Sequence, residues 1–236
     1  MSSNYTVAAI DCGTNSIRLL IASAGPDGRL VEQARDLELV RLGQGVDATG
    51  SFHPDALERT FSACRTFAKT ISDHHCDQVR FVSTSAARDV SNRDDFFTGV
   101  RDALDVDAEI IDGTEEASLS FAGAMSGVRV TDEPVLVIDC GGGSTELVLG
   151  YGTTIDSQAS LEVGSVRLRE RFLHDDPPTA EQIDDARKYV REALGSCPVD
   201  VAAARTVIAV AGTVTSLSAI DQGLAEYDRV KVHHSV

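Results

Sequence analysis

The amino-acid sequence predicts an α/β protein whose two halves repeat one strand–turn–strand unit. Three observations support this. Val135–Gly150, VLVIDCGGGSTELVLG, is an apolar, β-branched run closed by Asp139, then three glycines with Ser144 and Thr145, then a second apolar run. Near the N-terminus, Ile10–Ala22, IDCGTNSIRLLIA, repeats Ile, Asp, Cys, Gly, Ser and the first Leu in the same register, with Asp11 standing where the later copy has Asp139. Elsewhere short β-branched runs alternate with stretches of helical period, as in an α/β sheet protein.

Taken in order, Tyr5–Asp11 and Ile17–Ala22 form the first predicted strand pair, Gly25-Pro26-Asp27-Gly28 a turn, and Leu30–Leu42 a third strand. Gly43–Ser51 is a glycine-rich loop. Pro54 suits the first turn of a helix, and Leu57, Phe61, Cys64, Ala68 and Ile71, spaced by fours and threes, give that helix an apolar face. Val79–Val82 is a short strand from whose carboxyl end Thr84–Arg88 departs. Asn92 or Ser91 caps a helix through Leu104, Ala108–Ile111 is a strand, and Gly113 precedes a helix led by Glu115 and Glu116 and running to about Met125. Beyond the second glycine turn come a strand over Thr153–Val163, a short helix over Gly164–Leu173, and a break at Pro177-Pro178. A capping box of Thr179 with Gln182 opens a helix to about Leu194. Val207–Val210 is a last strand, and Ala211-Gly212-Thr213 turns into a helix over Val214–Ala219.

The glycine turns set the chemistry. Glycine lets a backbone approach an anion closely, and consecutive N–H groups in such a turn form an anion-binding nest. An aspartate at the mouth of the turn can hold a divalent cation beside that anion. Two such turns facing each other would grip a phosphate group from both sides. There is no GxxxxGK[ST], and the triple glycine leads into a strand rather than a helix, so neither a P-loop nor a dinucleotide fingerprint is present.

Composition narrows the partners. The 236 residues suffice for one large or two modest domains, and 42% hydrophobic residues can bury a core. A net charge of −16 argues against a general nucleic-acid or anionic-membrane surface. Five cysteines without CxxC or metal spacing point to reduced thiols. With no basic leader and no apolar run of bilayer length, the expected location is the cytoplasm.

The segments IDCGTNSIRLL, STSAARD, IDGTEEA, VIDCGGGSTELV, LEVGSVRL and AVAGTVTSL, in that order, resemble the exopolyphosphatase/guanosine pentaphosphate phosphohydrolase (Ppx/GppA) phosphatase family of the actin-like ATPase superfamily. The resemblance implies two actin-like (ribonuclease H-like) α/β domains, residues 1–126 and 127–236, with the active site in the cleft between them. It also implies Mg²⁺-dependent attack of water on a phosphoanhydride. Relatives continue past His233-His234-Ser235, so the second domain is expected to lack its C-terminal end.

On that basis Glu116 would deprotonate or orient the attacking water; as a first-turn glutamate it could equally serve the helix dipole, with Glu115 a cap or solvent residue. Glu146, which replaces Arg18 in the repeat, would lie near the water or the metal, or else be an outward-facing strand residue. Asp139 would bind the metal or its waters, with Asp11 assisting; the alternative is that each caps its turn. Gly13, Thr14, Asn15 and Ser16, with Gly141, Gly142, Gly143, Ser144 and Thr145, would donate hydrogen bonds to phosphate oxygens. Arg88 could neutralise a further phosphate, as could Arg18 unless it is a surface strand residue. Gly212 and Thr213 resemble a third phosphate turn or simply start a helix. Arg167, Arg169 and Arg171 are an anion patch or a solvated helix face. His233-His234 does not form a zinc pair, since neighbouring residues point apart.

The expected activity is removal of the terminal phosphate of inorganic polyphosphate. Short chains should be favoured because an acidic surface repels polyanions over a Debye length of about 10 Å. Conversion of pppGpp to ppGpp, phosphotransfer as a kinase or ATPase, and non-catalytic phosphate or nucleotide sensing are the alternatives. A homodimer is the assembly considered.

Overall fold

The structure, a computed structural model, describes residues 5–25, 30–88, 90–233 and 235. The predicted turn at Gly25-Pro26-Asp27-Gly28 and His234 of the histidine pair fall largely or wholly outside the described residues. The chain divides into two compact units, Met1–Asp112 and Gly113–Val236.

In the first unit β1 (Thr6–Cys12), β2 (Ile17–Ala24), β3 (Leu30–Glu38), β4 (Gln78–Ser83) and β5 (Ala108–Ile110) form one sheet in the order β3-β2-β1-β4-β5. β1 runs antiparallel to β2, with Asp11 opposite Arg18, and parallel to β4. The helices are α1 (Val46–Thr49), α2 (Pro54–Asp73), α3 (Ser85–Arg88) and α4 (Arg93–Leu104). Alternate residues Ala8, Ile10, Cys12, Ile17, Leu19 and Ile21 turn to a core shared with Leu57, Cys64 and Phe67 of α2 and Phe96 and Val100 of α4. The buried stripe of α2 is Leu57, Thr60, Cys64 and Phe67, with Phe61 and Ile71 at its margin. It is rotated slightly from the predicted face, and Thr60 is buried within it with its hydroxyl donated to the Ala56 carbonyl, 2.8 Å away, so that no polar atom is left unpaired.

β3 ends at Glu38 rather than Leu42. Val40 and Leu42 dive into the core, and Arg41 takes a left-handed backbone (φ 51°) between them, which carries the chain away from the sheet. Asn92 stands at the N-cap position of α4, yet its side chain ties down the Phe52 backbone, accepting from the Phe52 amide (2.8 Å) and donating to its carbonyl (3.1 Å).

In the second unit β6 (Val135–Cys140), β7 (Thr145–Tyr151), β8 (Thr154–Leu161) and β9 (Thr206–Val210) form a sheet in the order β8-β7-β6-β9. The three-strand meander and the parallel neighbour of its first strand repeat the plan of the first unit. The helices are α5 (Gly113–Gly127), α6 (Ser165–Arg171), α7 (Ala180–Gly195), α8 (Ala211–Asp221) and α9 (Arg229–Val232), with a 3₁₀ turn at Val201–Ala203. The Thr179–Gln182 capping box is formed as predicted. Ala117 and Phe121 of α5 pack on Val135, Val137 and Val148, while Leu136, Leu147, Leu149 and Val199 fill the opposite face of the sheet. This packing draws α5 into the second unit, so the division falls at Asp112/Gly113, ahead of the expected border at 126/127.

Candidate active site

β6 stops at Cys140 and β7 starts at Thr145, so Gly141–Ser144 is the connecting turn, closed by the Gly141 amide donating to the Ser144 carbonyl (3.0 Å). Its other carbonyls all face α6. Gly141 accepts from the Ser165 amide (3.1 Å), and Gly142 from the amides of Val166 (2.9 Å) and Arg167 (3.1 Å). Gly143 accepts from Nε of Arg167 at 2.8 Å. In a trans peptide the N–H points opposite to the C=O. The amides of Gly142, Gly143 and Ser144 are therefore turned away from α6, and among the described residues they have no protein acceptor. Such a run of amides turned to one side has the form that an anion-binding nest requires. Gly164 fits against it only without a side chain: a Cβ there would come closer than 3.0 Å to the backbone of Gly142 and Gly143. Thr145 spends its hydroxyl proton on the Val163 carbonyl (2.6 Å), and Ser144 is buried beside it.

Carboxylates gather on the α5 side of the same sheet. Asp139 and Glu146 are opposite one another across β6 and β7, hence on one face. Glu146 is only 2% exposed and accepts from the Ser160 hydroxyl (2.8 Å), which excludes the outward-facing alternative. The Ser120 hydroxyl of α5 donates to Oδ2 of Asp139. Glu116 lies one helical turn before Ser120, on the same side of α5. Glu116 is partly buried, whereas Glu115 is exposed.

Asp139 and Glu146 are hard oxygen donors whose like charges, placed opposite in register, repel unless a cation or a proton intervenes. Among the described residues no three His, Cys, Asp or Glu side chains group closely enough to hold a metal by themselves. That donor set suits Mg²⁺, which takes one or two carboxylates and completes its shell with water and substrate oxygens.

In the first unit the Gly13–Ser16 turn is built on the same principle. The Gly13 amide donates to the Ser16 carbonyl (2.9 Å), the Thr14 carbonyl accepts from the Gly43 amide (2.8 Å), and that of Asn15 from the Arg41 amide (2.9 Å). The amides of Asn15 and Ser16 thereby face away from residues 41–43, again with no protein acceptor among the described residues. Asp11 is exposed, and Arg18 keeps its Nε buried with no hydrogen-bond partner. Arg88 closes α3 and donates from Nε to the Ile111 carbonyl (3.1 Å).

Gly212 and Thr213 lie in the first turn of α8. Because Val210 pairs with Asp139, they leave the sheet at the end that carries the glycine turn. The three arginines of α6 separate. Arg167 serves the turn, Arg171 donates to the Tyr189 hydroxyl (3.0 Å) and lies over its ring, and Arg169 is exposed. His233 meets the Tyr227 hydroxyl at 3.0 Å. Sequence reasoning missed Ser120, Ser160 and the role of Arg167. One signal for the last was available: a cation in a helix's first turn opposes the macrodipole, so it needs a specific acceptor.

The family description of the Ppx/GppA phosphatases matches residues 23–233. Exopolyphosphatase 2 of Mycobacterium tuberculosis is 49% identical over 241 residues, covering 97% of this chain and 75% of that protein. A solved exopolyphosphatase-like protein superposes with TM-score 0.88 at 47% identity, over 94% of this chain and 71% of its own. The Ppx/GppA structure from Aquifex aeolicus does so with TM-score 0.76 at 31% identity, over 99% and 74%. These relatives share the duplicated, actin-like α/β plan. No described helix is long and apolar enough to cross a membrane. With its glycine turns, sheet plan and near full-length match in accord, the chain belongs to the Ppx/GppA phosphatase family of hydrolases.

Proposed function

We propose that the chain is an exopolyphosphatase that removes terminal phosphate from inorganic polyphosphate with Mg²⁺ and a water activated by Glu116. The observation that carries this reading is the set of acceptor-free amides of Gly142, Gly143 and Ser144, at the end of the strand that bears Asp139. Phosphoryl transfer asks mainly for positioning and charge neutralisation. The nest would bind the terminal phosphoryl oxygens. Glu116 would take a proton from water as its oxygen bonds to the terminal phosphorus. The bond from that phosphorus to the bridging oxygen breaks, leaving orthophosphate and a chain one unit shorter. Mg²⁺, held through Asp139 with Glu146 behind it, would supply charge neutralisation. Thr213, in the first turn of α8, is a candidate for binding a further phosphate. A net charge of −16 favours short chains over long ones.

The test measures phosphate release from polyphosphates of defined length and from pppGpp, with and without Mg²⁺. The expected result is Mg²⁺-dependent release with kcat/KM greatest on short polyphosphate. Release confined to pppGpp would move the assignment to that nucleotide. A rate on polyphosphate that rises with chain length would contradict the short-chain preference.

A further inference from the structure

We propose that Arg167 is a positioning residue for the anion nest, acting through the Gly143 carbonyl rather than by touching substrate. Of the donors on the nest's carbonyls, those on Gly142 are backbone amides, and Gly141 takes the Ser165 amide with a longer bond from the Ser165 hydroxyl (3.4 Å). Gly143 is held by a side chain, Nε of Arg167 at 2.8 Å. Holding that carbonyl fixes the Gly143–Ser144 peptide plane and so aims the Ser144 amide at the anion. The guanidinium is itself fixed: its side chain is 14% exposed, and Nη1 pairs with Oε2 of Glu162 at 3.1 Å, although Glu162 is 57% exposed. It stands in the first turn of α6, where a cation is otherwise disfavoured. Its charge therefore lies behind the nest, where it strengthens the field that an incoming phosphate meets. Among the described residues the first unit shows no counterpart: its Thr14 and Asn15 carbonyls are held by the Gly43 and Arg41 amides. Arg167 is thus a point at which removing a side-chain donor can change nest geometry without altering the turn's own sequence.

The kinetic arm rests on the exopolyphosphatase reading; a binding arm with tripolyphosphate does not. The variants are Arg167→Met, which removes donor and charge, and Arg167→Lys, which keeps the charge and most of the stem but not the planar fork. Loss of a ground-state contact weakens substrate and transition state alike, so KM should rise with kcat little changed. The expected results for Arg167→Met are a rise in KM and in the tripolyphosphate dissociation constant by calorimetry, each about tenfold. Arg167→Lys should recover part of that loss, and because it preserves packing it serves alone if the methionine variant does not fold. A drop in kcat and melting temperature with KM and tripolyphosphate affinity unchanged would assign Arg167 a merely structural part and overturn the proposal, as would wild-type affinity in both variants. If the wild-type protein released no phosphate from polyphosphate yet Arg167→Met still lost tripolyphosphate affinity, the activity assignment would fail while the positioning role stood.

Discussion

The Gly13–Ser16 turn of the first unit and the Gly141–Ser144 turn of the second share a backbone solution and differ in what surrounds it. In both, a segment distant in sequence takes up turn carbonyls, and among the described residues the amides of Asn15 and Ser16, and those of Gly142, Gly143 and Ser144, have no protein acceptor. In the first unit that segment is an irregular loop, residues 41–43; in the second it is the start of a helix reinforced by a guanidinium. The residue across from the turn aspartate differs as well: Arg18 faces Asp11, whereas Glu146 faces Asp139. Serines flank the second pair, Ser120 on Asp139 and Ser160 on Glu146, and Glu116 stands a helical turn from Ser120. Duplication thus preserved the means of presenting amides, and divergence concentrated the carboxylates in one copy. Carboxylates therefore accompany the second turn on both paired strands, whereas the first turn has an arginine opposite its aspartate.

The sharpest way to break this comparison is to neutralise the two aspartates in turn. Asp139→Asn should lower kcat by about 10²-fold or more, whereas Asp11→Asn should have a smaller effect and act mainly on KM. Phosphate-release kinetics of both variants decide this, and equal losses would remove the division of labour.

The supporting glycines give the next largest effect. A Cβ at Gly164 would strike the backbone of Gly142 and Gly143, which cannot yield without opening the nest. A Cβ at Gly43 would strike chiefly the Thr14 methyl group, a side-chain atom that can rotate away. Gly164→Ala should therefore lose tripolyphosphate binding and about 1–3 kcal/mol of stability. Gly43→Ala should lose less of each in calorimetry and urea unfolding.

Ser120→Ala removes the hydrogen bond that α5 donates to the Asp139 carboxylate. A loss of about tenfold or less in kcat/KM, partly recovered by raising Mg²⁺, is the expected outcome.

The smallest effect concerns the thiols that precede each turn. Cys12 is fully buried, and its thiol is pushed well up by burial, then by Cys64 and Asp11, while Cys140 is partly exposed. Iodoacetamide at neutral pH should label Cys140 well before Cys12, read by peptide mass spectrometry. Burial also pushes Cys64 from 9.0 to about 12. The folded protein then retains a thiol proton that the unfolded chain releases, so stability should fall as pH rises from 9 towards 12. Cys64→Ala should flatten that slope in alkaline unfolding curves.

Much of this was legible in the sequence because it rests on short-range pattern. The β-branched runs around each IDCG segment fixed the strand pairs, and Thr179 with Gln182 announced a helix start. What escaped depends on tertiary packing. Val40 and Leu42 keep the period-2 alternation of a strand, so nothing local reveals that Arg41 turns the chain into the core to reach Asn15. Glu146 stayed open between a site role and an outward-facing position because strand alternation does not say whether a helix covers that face; α5 does. The apolar face of α5 could not announce which sheet it would cover; its Ala117 and Phe121 pack on β6 and β7. Arg167 resembled its neighbours Arg169 and Arg171 until the turn was folded beneath it.

The most direct test of the central assignment is a paired measurement on Glu116→Gln. Orthophosphate release from short polyphosphate and tripolyphosphate affinity are measured on the same preparation. Release should fall at least about 10²-fold while affinity stays within about threefold of wild type, since the amide keeps the shape and loses the base. Wild-type release by Glu116→Gln would contradict the assignment of the second unit as the seat of the chemistry.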